Sequence, residues 1–213
     1  MSLKEQMETG KVYIEFGHAS GEDREYEKII ETQRQACKEI CFDYNQTRPL
    51  NVERRTELLG KLLGGMGNSL WIEAPVHFAY GIHTYIGDHV YANFNLTVVD
   101  DCEVRIGNYV MFAPNVTITA TGHPVHPMYR DKGAQFSLPV VIEDHVWIGA
   151  NVVIMPGVTI GENSVIGAGS VVTHDIPANM VAYGVPCRPV REITQEDLTY
   201  YRKGMRVNED WDR

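Results

Sequence analysis

No run of about 18 apolar residues occurs in the 213-residue chain, which excludes an ordinary transmembrane helix. The opening stretch, Met1-Ser2-Leu3-Lys4-Glu5-Gln6, lacks the apolar core of a signal peptide, so the expected address is cytoplasmic. Cysteine is scarce, with four residues (Cys37, Cys41, Cys102, Cys187) scattered along the chain. Cys37 and Cys41 lie one helical turn apart, and no second Cys or His pair stands at zinc spacing. The reading is buried reduced thiols, with no metal expected. Positive charge is also short. The 19 Lys and Arg face 28 Asp and Glu, for a net charge of −9. With no basic stripe and no aromatic platform, a nucleic-acid partner is excluded, although a few local cations could still meet an anionic ligand.

What the chain does have is a six-residue beat. From Ile142 an aliphatic residue falls at every sixth position: Ile142, Ile148, Ile154, Ile160, Ile166, Val172. Small or β-branched residues follow four places later, at Val146, Val152, Val158, Ser164, Ser170 and Ile176. Helices repeat at 3.6 residues and strands at 2, so a strict six fits neither alone. It fits a chain that turns a corner every six residues around a narrow interior, the signature of a parallel β-helix.

The beat runs upstream through Ile72, Phe78, Ile86, Ala92, Val98, Ile106, Phe112 and Ile118. Two steps, Phe78 to Ile86 and Val98 to Ile106, are eight residues long, which places two-residue insertions at corners. Three hexads per coil give about five coils, a prism on the order of 20–25 Å tall at strand spacing. Gly87, Asn108, Gly149, Asn151, Gly161 and Asn163 are expected at corners with left-handed backbone angles. Between Ile118 and Ile142 the beat stops. Residues 119–139 read as a protruding loop without secondary structure of its own, containing Gly122-His123-Pro124-Val125-His126-Pro127. Ahead of the solenoid, residues 22–44 and the stretch from Val52 to Leu63 read as two amphipathic helices. The expected division is therefore a helical cap over 1–70, a β-helix over 71–190 and a helical tail over 191–213. Within the tail, 194–203 is the helix, capped by Thr194, and the last few residues fray.

The pattern resembles the hexapeptide-repeat sugar O-acetyltransferases, the galactoside and maltose acetyltransferases, and galactoside acetyltransferase most. The resemblance rests on Tyr91-Ala92-Asn93-Phe94-Asn95-Leu96-Thr97, Val99-Asp100-Asp101, Thr121-Gly122-His123-Pro124-Val125-His126, Val146-Trp147-Ile148-Gly149, Pro156-Gly157-Val158-Thr159-Ile160-Gly161 and Gly184-Val185-Pro186-Cys187-Arg188. It implies an all-β solenoid, a left-handed parallel β-helix, with the helical segment as an acceptor-binding cap. It further implies a homotrimer with active sites between subunits and acetyl-CoA as co-substrate. The reaction implied is acetyl transfer to a sugar hydroxyl, the 6-hydroxyl of a galactoside or glucoside.

Such a transfer needs a base for the alcohol proton, donors for the developing oxyanion and a slot for the coenzyme. By resemblance His123 is the general base, with direct attack preferred to an acetyl-enzyme, and His126 supports the loop. Asn93 and Asp101 match positions that contact acceptor hydroxyls. Glu15 stands where relatives often carry Asp. Trp147 is expected to point outward, near both thioester arm and acceptor. Backbone N–H groups near Ala150 resemble the oxyanion donors, and the main chain at Ala168 resembles a grip on the pantetheine. Thr173, Arg188 and Arg191 could meet coenzyme phosphates. His174 stands where relatives commonly have Lys and Gln135 where close relatives can have Met. Three alternatives stay open: a zinc carbonic anhydrase-like β-helix using His83, His89, His123 and His126, a non-catalytic scaffold, and an amino-sugar acceptor.

Overall fold

The computed structural model describes residues 1–19 and 21–208. Three parallel sheets wrap one interior. The first face stacks Gly65–Met66, Thr84–Ile86, Val104–Ile106, Val140–Ile142 and Thr159–Ile160. The second stacks Trp71–Ile72, Tyr91–Ala92, Met111–Phe112, Trp147–Ile148, Val165–Ile166 and Met180–Gly184, and Cys187–Glu192 closes it antiparallel. The third stacks Val76–Phe78, Leu96–Val99, Thr117–Thr119, Val153–Ile154 and Val171–Val172. Register explains the beat. Ile72, Ala92, Phe112, Ile148, Ile166 and Ala182 stand in line across the second face, all buried, so each leading residue packs over the one a coil below. The six parallel strands on this face make the solenoid about one turn longer than the five coils expected. It also starts earlier than Trp71. Gly65–Met66 already pairs with Tyr85–Ile86, and the glycine hides this strand from an aliphatic count.

The corners correct a second expectation. Asn151 and Asn163 do have positive φ, but Gly87, Asn108, Gly149 and Gly161 do not. Gly149 and Gly161 serve close stacking instead. A Cβ on Gly149 would lie 2.6 Å from the Ala168 nitrogen, and one on Gly161 would lie 2.4 Å from the Ala178 nitrogen. Asn108 uses its side chain, accepting from the Asp88 N–H at 2.9 Å and donating to Asp144. At the corner between first and second faces the left-handed positions include His89, Tyr109 and His145, whose rings stack at 4.8 and 5.0 Å.

The cap seals the open first coil. α1 is Leu3–Glu8, α2 Glu22–Gln46 and α3 Val52–Leu62. Acidic Glu22, Asp23 and Glu25 in its first turn favour α2 through the helix dipole. Ile30, Cys37, Cys41 and Tyr44 form its buried face, and Leu58, Leu59 and Leu62 that of α3. An exposed strand edge leaves unpaired backbone groups. Here Tyr44 and Arg55 donate to the Ile72 carbonyl, while Asn45 bonds both the N–H and the C=O of Val76.

The loop is not structureless. Thr121–Gly122 pairs with Ala134–Ser137, which pairs with Tyr13–Ile14 of the cap, and the short helix α4 (Pro127–Arg130) lies between. This small sheet was hidden because two of its strands, Tyr13–Ile14 and Thr121–Gly122, are two residues long, and the first of them comes from over a hundred residues upstream. The tail also differs. Thr194 caps α5, but that helix spans only Gln195–Thr199, and a hairpin of Tyr200–Arg202 and Met205–Arg206 follows. The fraying expected of the last residues falls on 209–213, outside the described residues. Among the described residues no helix is long and apolar enough to cross a membrane.

Candidate active site

The breaks in the beat share one corner. The insertion after Phe78, the insertion after Val98 and the long excursion after Ile118 all leave the third face and return to the first, in three successive coils. Backbone bonds from Ala79 to Val98 (3.0 Å) and from Ala120 to Val99 (2.9 Å) stack them directly. These excursions carry Tyr80 and His83, then Asp100 and Asp101, then His123.

His123 is held at one nitrogen. Its Nδ1 lies 2.8 Å from the Ala134 carbonyl oxygen. A carbonyl only accepts, so Nδ1 carries the hydrogen and the Nε2 lone pair is left to act. His126 accepts from the Met128 N–H at 3.3 Å and so caps α4, a supporting position.

The cap brings a second group to the same corner. Glu15, only 7% exposed, follows the strand paired with Ala134–Ser137. Arg34 donates to its Oε2 at 2.7 Å, and the Tyr80 hydroxyl donates to its Oε1. The Arg34 guanidinium also lies over the Tyr80 ring, 5.5 Å from its centroid. Asp101, 6% exposed, feels this cluster. Burial first, then the Glu15 charge, pushes its carboxyl up to about 6, against a counter-pull from Arg34. Asp100 is different in kind. The Tyr80 N–H and the Thr84 hydroxyl hold both of its oxygens, so it is a structural brace. Tyr13 ties the halves together: its hydroxyl lies 2.7 Å from Ser137 Oγ and accepts from Gln135 Nε2 at 3.0 Å. Burial pushes the Tyr13 phenol up to about 12. Sequence reasoning missed Arg34, Tyr80 and Tyr13. For Tyr80 the signal was there, since it sits in an insertion.

The remaining expected residues lie elsewhere. Asn93 follows the second-face strand Tyr91–Ala92, at the corner between second and third faces, and its Oδ1 accepts from the Phe94 N–H at 2.8 Å. Ala150 and Ala168 stand one above the other along that edge, joined by a 2.8 Å bond from the Gly169 N–H to the Ala150 carbonyl. Neither alanine's own N–H donates to a backbone carbonyl among the described residues. Small residues and close-stacked Gly149 make this edge a backbone shelf. Trp147 points outward and is 50% exposed, in register with exposed Met111. Thr173 and His174 return to the first corner, two coils above the loop, with Thr173 Oγ1 2.9 Å from His174 Nδ1. Arg188 donates to the Cys187 carbonyl, while Arg191 is engaged by both oxygens of Asp197 at 2.6 and 2.8 Å. Arg191 would have to leave a bidentate pair to meet a phosphate.

One chain thus gathers Glu15, Asp101 and the His123 loop at one corner, and sets Asn93, Ala150, Ala168 and Trp147 at or beside the other. A third-face strand of four residues, roughly 13 Å, separates the corners. Within one chain the histidines of the zinc alternative, which draws its ligands from two subunits, do not converge. His83 Nδ1 bonds the Asp100 carbonyl, His89 stacks on Tyr109, and His123 and His126 hold their separate loop contacts. No group of three His, Cys, Asp or Glu able to hold a metal occurs among the described residues. The four cysteines are unpaired by disulfides, three of them buried.

Comparison with known proteins agrees with this architecture. Residues 139–174 match the bacterial transferase hexapeptide (six repeats) family, and residues 6–67 match the maltose acetyltransferase hexapeptide capping motif. Galactoside O-acetyltransferase of Escherichia coli (strain K12) is 46% identical over 207 residues, 97% of each chain. A solved galactoside acetyltransferase in complex with coenzyme A superposes with TM-score 0.89 at 44% identity, covering 98% of this chain and 100% of that one. A hexapeptide-repeat acetyltransferase from Vibrio cholerae O1 biovar eltor, complexed with acetyl coenzyme A, gives 0.78 at 34% identity over 91% of this chain and 100% of its own. With the capping helices, the hexad solenoid and the interrupted corner all in place, the chain belongs to the hexapeptide-repeat sugar O-acetyltransferase family and is an acyltransferase.

Proposed function

We propose that the protein transfers acetyl from acetyl-CoA to a sugar hydroxyl, the 6-hydroxyl of a galactoside or glucoside, at a site completed by a neighbouring copy in a homotrimer. Acetyl-CoA is the donor, as two solved relatives that hold coenzyme A or acetyl-CoA support. The observation that carries the reading is His123 itself. Its Nδ1 is locked on the Ala134 carbonyl, so Nε2 is presented as a base on the sheet that also positions Glu15.

In this reading Nε2 of His123 takes the acceptor proton as the hydroxyl oxygen attacks the thioester carbonyl. The Ala150 N–H donates to the carbonyl oxygen as charge builds there. His123 then returns the proton to the departing sulfur. Asp101 accepts from an acceptor hydroxyl, and Asn93 adds an amide contact. Glu15 acts less freely than its place suggests, since Tyr80 and Arg34 already hold both of its oxygens.

The split site is the reason for a second copy. The corner with the base and the corner with the N–H shelf flank one face and cannot fold onto each other. A neighbour can place its shelf against this chain's His123. The exposed stripe Trp71, Tyr91, Met111 and Trp147 on the second face gives such a neighbour an apolar surface to cover.

The test is a screen of galactosides, glucosides and amino sugars with acetyl-CoA, following thiol release and locating the acetyl group by NMR. Acetylation at the 6-hydroxyl is expected. Transfer to nitrogen would make an amino sugar the acceptor, and no thiol release with any sugar would overturn the reading.

A further inference from the structure

Asp101 has capacity that the corner does not use. Glu15 has a donor on each oxygen, and so does Asp100. The Asp101 carboxylate, equally buried, accepts no hydrogen bond from another residue among those described. No fully buried side-chain oxygen among the described residues lacks a partner, so the Asp101 carboxylate meets solvent through a cavity, where a ligand's hydroxyls can replace water as donors. Asp101 also forms part of the wall of a cavity of about 410 Å³ between the cap and the solenoid.

The cavity has a definite chemistry. Tyr26 from α2 and Tyr85 from the first face contribute aromatic walls. Glu103 lies at the solenoid side, but Arg105 holds it bidentately at 2.6 and 2.7 Å and so cancels its charge. Glu8 at the end of α1 is largely exposed, with only Lys4 at 3.9 Å. Arg34 is taken up by Glu15 and Lys4 reaches Glu8 only at 3.9 Å, so the charge facing the space, from Asp101 and Glu8, stays negative and an anion such as a sugar phosphate is disfavoured. Aromatic walls beside carboxylate acceptors suit a neutral hydroxylated ring, whose C–H face packs on tyrosine while its hydroxyls donate. The volume stands at the low end of the roughly 300–1,000 Å³ of small-molecule sites, room for one ring and not for a coenzyme. The cavity is also joined to the corner. His83 on its wall stacks on Tyr80 at 4.8 Å, and Tyr80 holds Glu15.

We propose that this cavity holds an uncharged, hydroxyl-bearing second ring of the acceptor, the ring that is not acetylated, with Asp101 at the junction between the two rings. This rests on the sugar-acceptor reading above and narrows it to glycosides of two or more rings.

The probes are a methyl galactoside and a galactosyl disaccharide, and the variants are Tyr26→Ala, which removes a wall, and Glu8→Trp, which adds bulk at the mouth. Neither residue belongs to the reacting corner. Glu8 sits at an exposed helix end, so the second variant serves if the first proves unstable on thermal melting. The disaccharide should lose roughly tenfold or more in kcat/KM in either variant, while the methyl galactoside stays within about twofold. Equal losses on both acceptors, or none on either, overturn the proposal. Saturation-transfer NMR separates it from the reaction itself. If the wild-type protein turns over neither sugar, the sugar-acceptor reading has failed. The cavity then stands only if the disaccharide receives transfer on both rings and Glu8→Trp abolishes it; absence of transfer refutes the cavity as well.

Discussion

The two corners that bound the third face are built by opposite means. At one, the hexad is broken in three successive coils, and the extra residues bring in Tyr80, Asp101 and His123. At the other, the hexad is kept, and small Ala150 and Ala168 expose backbone over close-stacked glycine. Side-chain chemistry needs reach and partners, which a six-residue side cannot hold. The proposed grip on a long flexible arm needs only a regular row of N–H and C=O groups, which the uninterrupted repeat supplies. The difference predicts that substitutions at the first corner damage chemistry and that those at Gly149, Ala150 and Ala168 of the second damage packing.

The strongest way to break the comparison is to keep the two corners from meeting. Met111, 50% exposed in the apolar stripe, lies on the surface proposed to pack against a neighbour. Met111→Lys would bury an unpaired charge there. The trimer should dissociate and activity should vanish together, as light scattering and rate assays would show. A fully active monomer would remove the shared site.

His123→Ala should lower kcat by roughly 10²–10⁴-fold, the usual worth of a general base, with coenzyme binding little changed. A variant that keeps half of wild-type turnover would falsify the assignment of the base.

Asp101→Ala should fall on the acceptor side. A hydrogen bond to a charged group is worth about 1.5–3 kcal/mol, so kcat/KM for the sugar should drop on the order of 10–150-fold. The apparent affinity for acetyl-CoA should stay near wild type. Initial rates over a grid of both substrates decide it, and equal damage to both would make Asp101 structural.

Asp101 also sets function against stability. The folded protein raises its carboxyl from 3.8 to about 6, so the folded state holds the proton more tightly than the unfolded chain. Its contribution is fully favourable below about pH 4 and is lost as pH rises through about 6. Asp101→Asn should therefore be more stable than the parent above pH 6, by on the order of 2–3 kcal/mol in unfolding free energy, and the gap should close near pH 4. A gap independent of pH would mean that the buried charge is compensated in some other way. At the opposite corner Gly149→Ala should cost about 1–3 kcal/mol by overpacking against Ala168, readable as a lower melting temperature. If it melts like the parent, the shelf is looser than the stacking implies.

Much of this was legible in the chain. The beat gives the faces, the interior residues and the corners, because a six-residue period is a local constraint repeated many times. The two eight-residue steps and the missing beat after Ile118 mark the corner that carries Asp101 and His123, although their stacking in one column was not apparent from spacing. His123, Asp101 and Ala150 stand out as candidates only through their resemblance to a known family. The glycines misled. Gly149 and Gly161 looked like left-handed corner residues and proved to be places where the next coil passes too close for a Cβ.

Sequence by itself determined the prism, its capping helices and where its regularity fails, since each follows from short-range periodicity and burial of one side chain per turn. Tertiary structure alone decided the rest. It pairs Tyr13 with Ser137 across 124 positions and Tyr80 with Glu15 across 65, fixes which nitrogen of His123 is free, and leaves Asp101 without a donor. Those outcomes depend on which distant groups packing brings within about 3 Å, and no local period encodes such a distance.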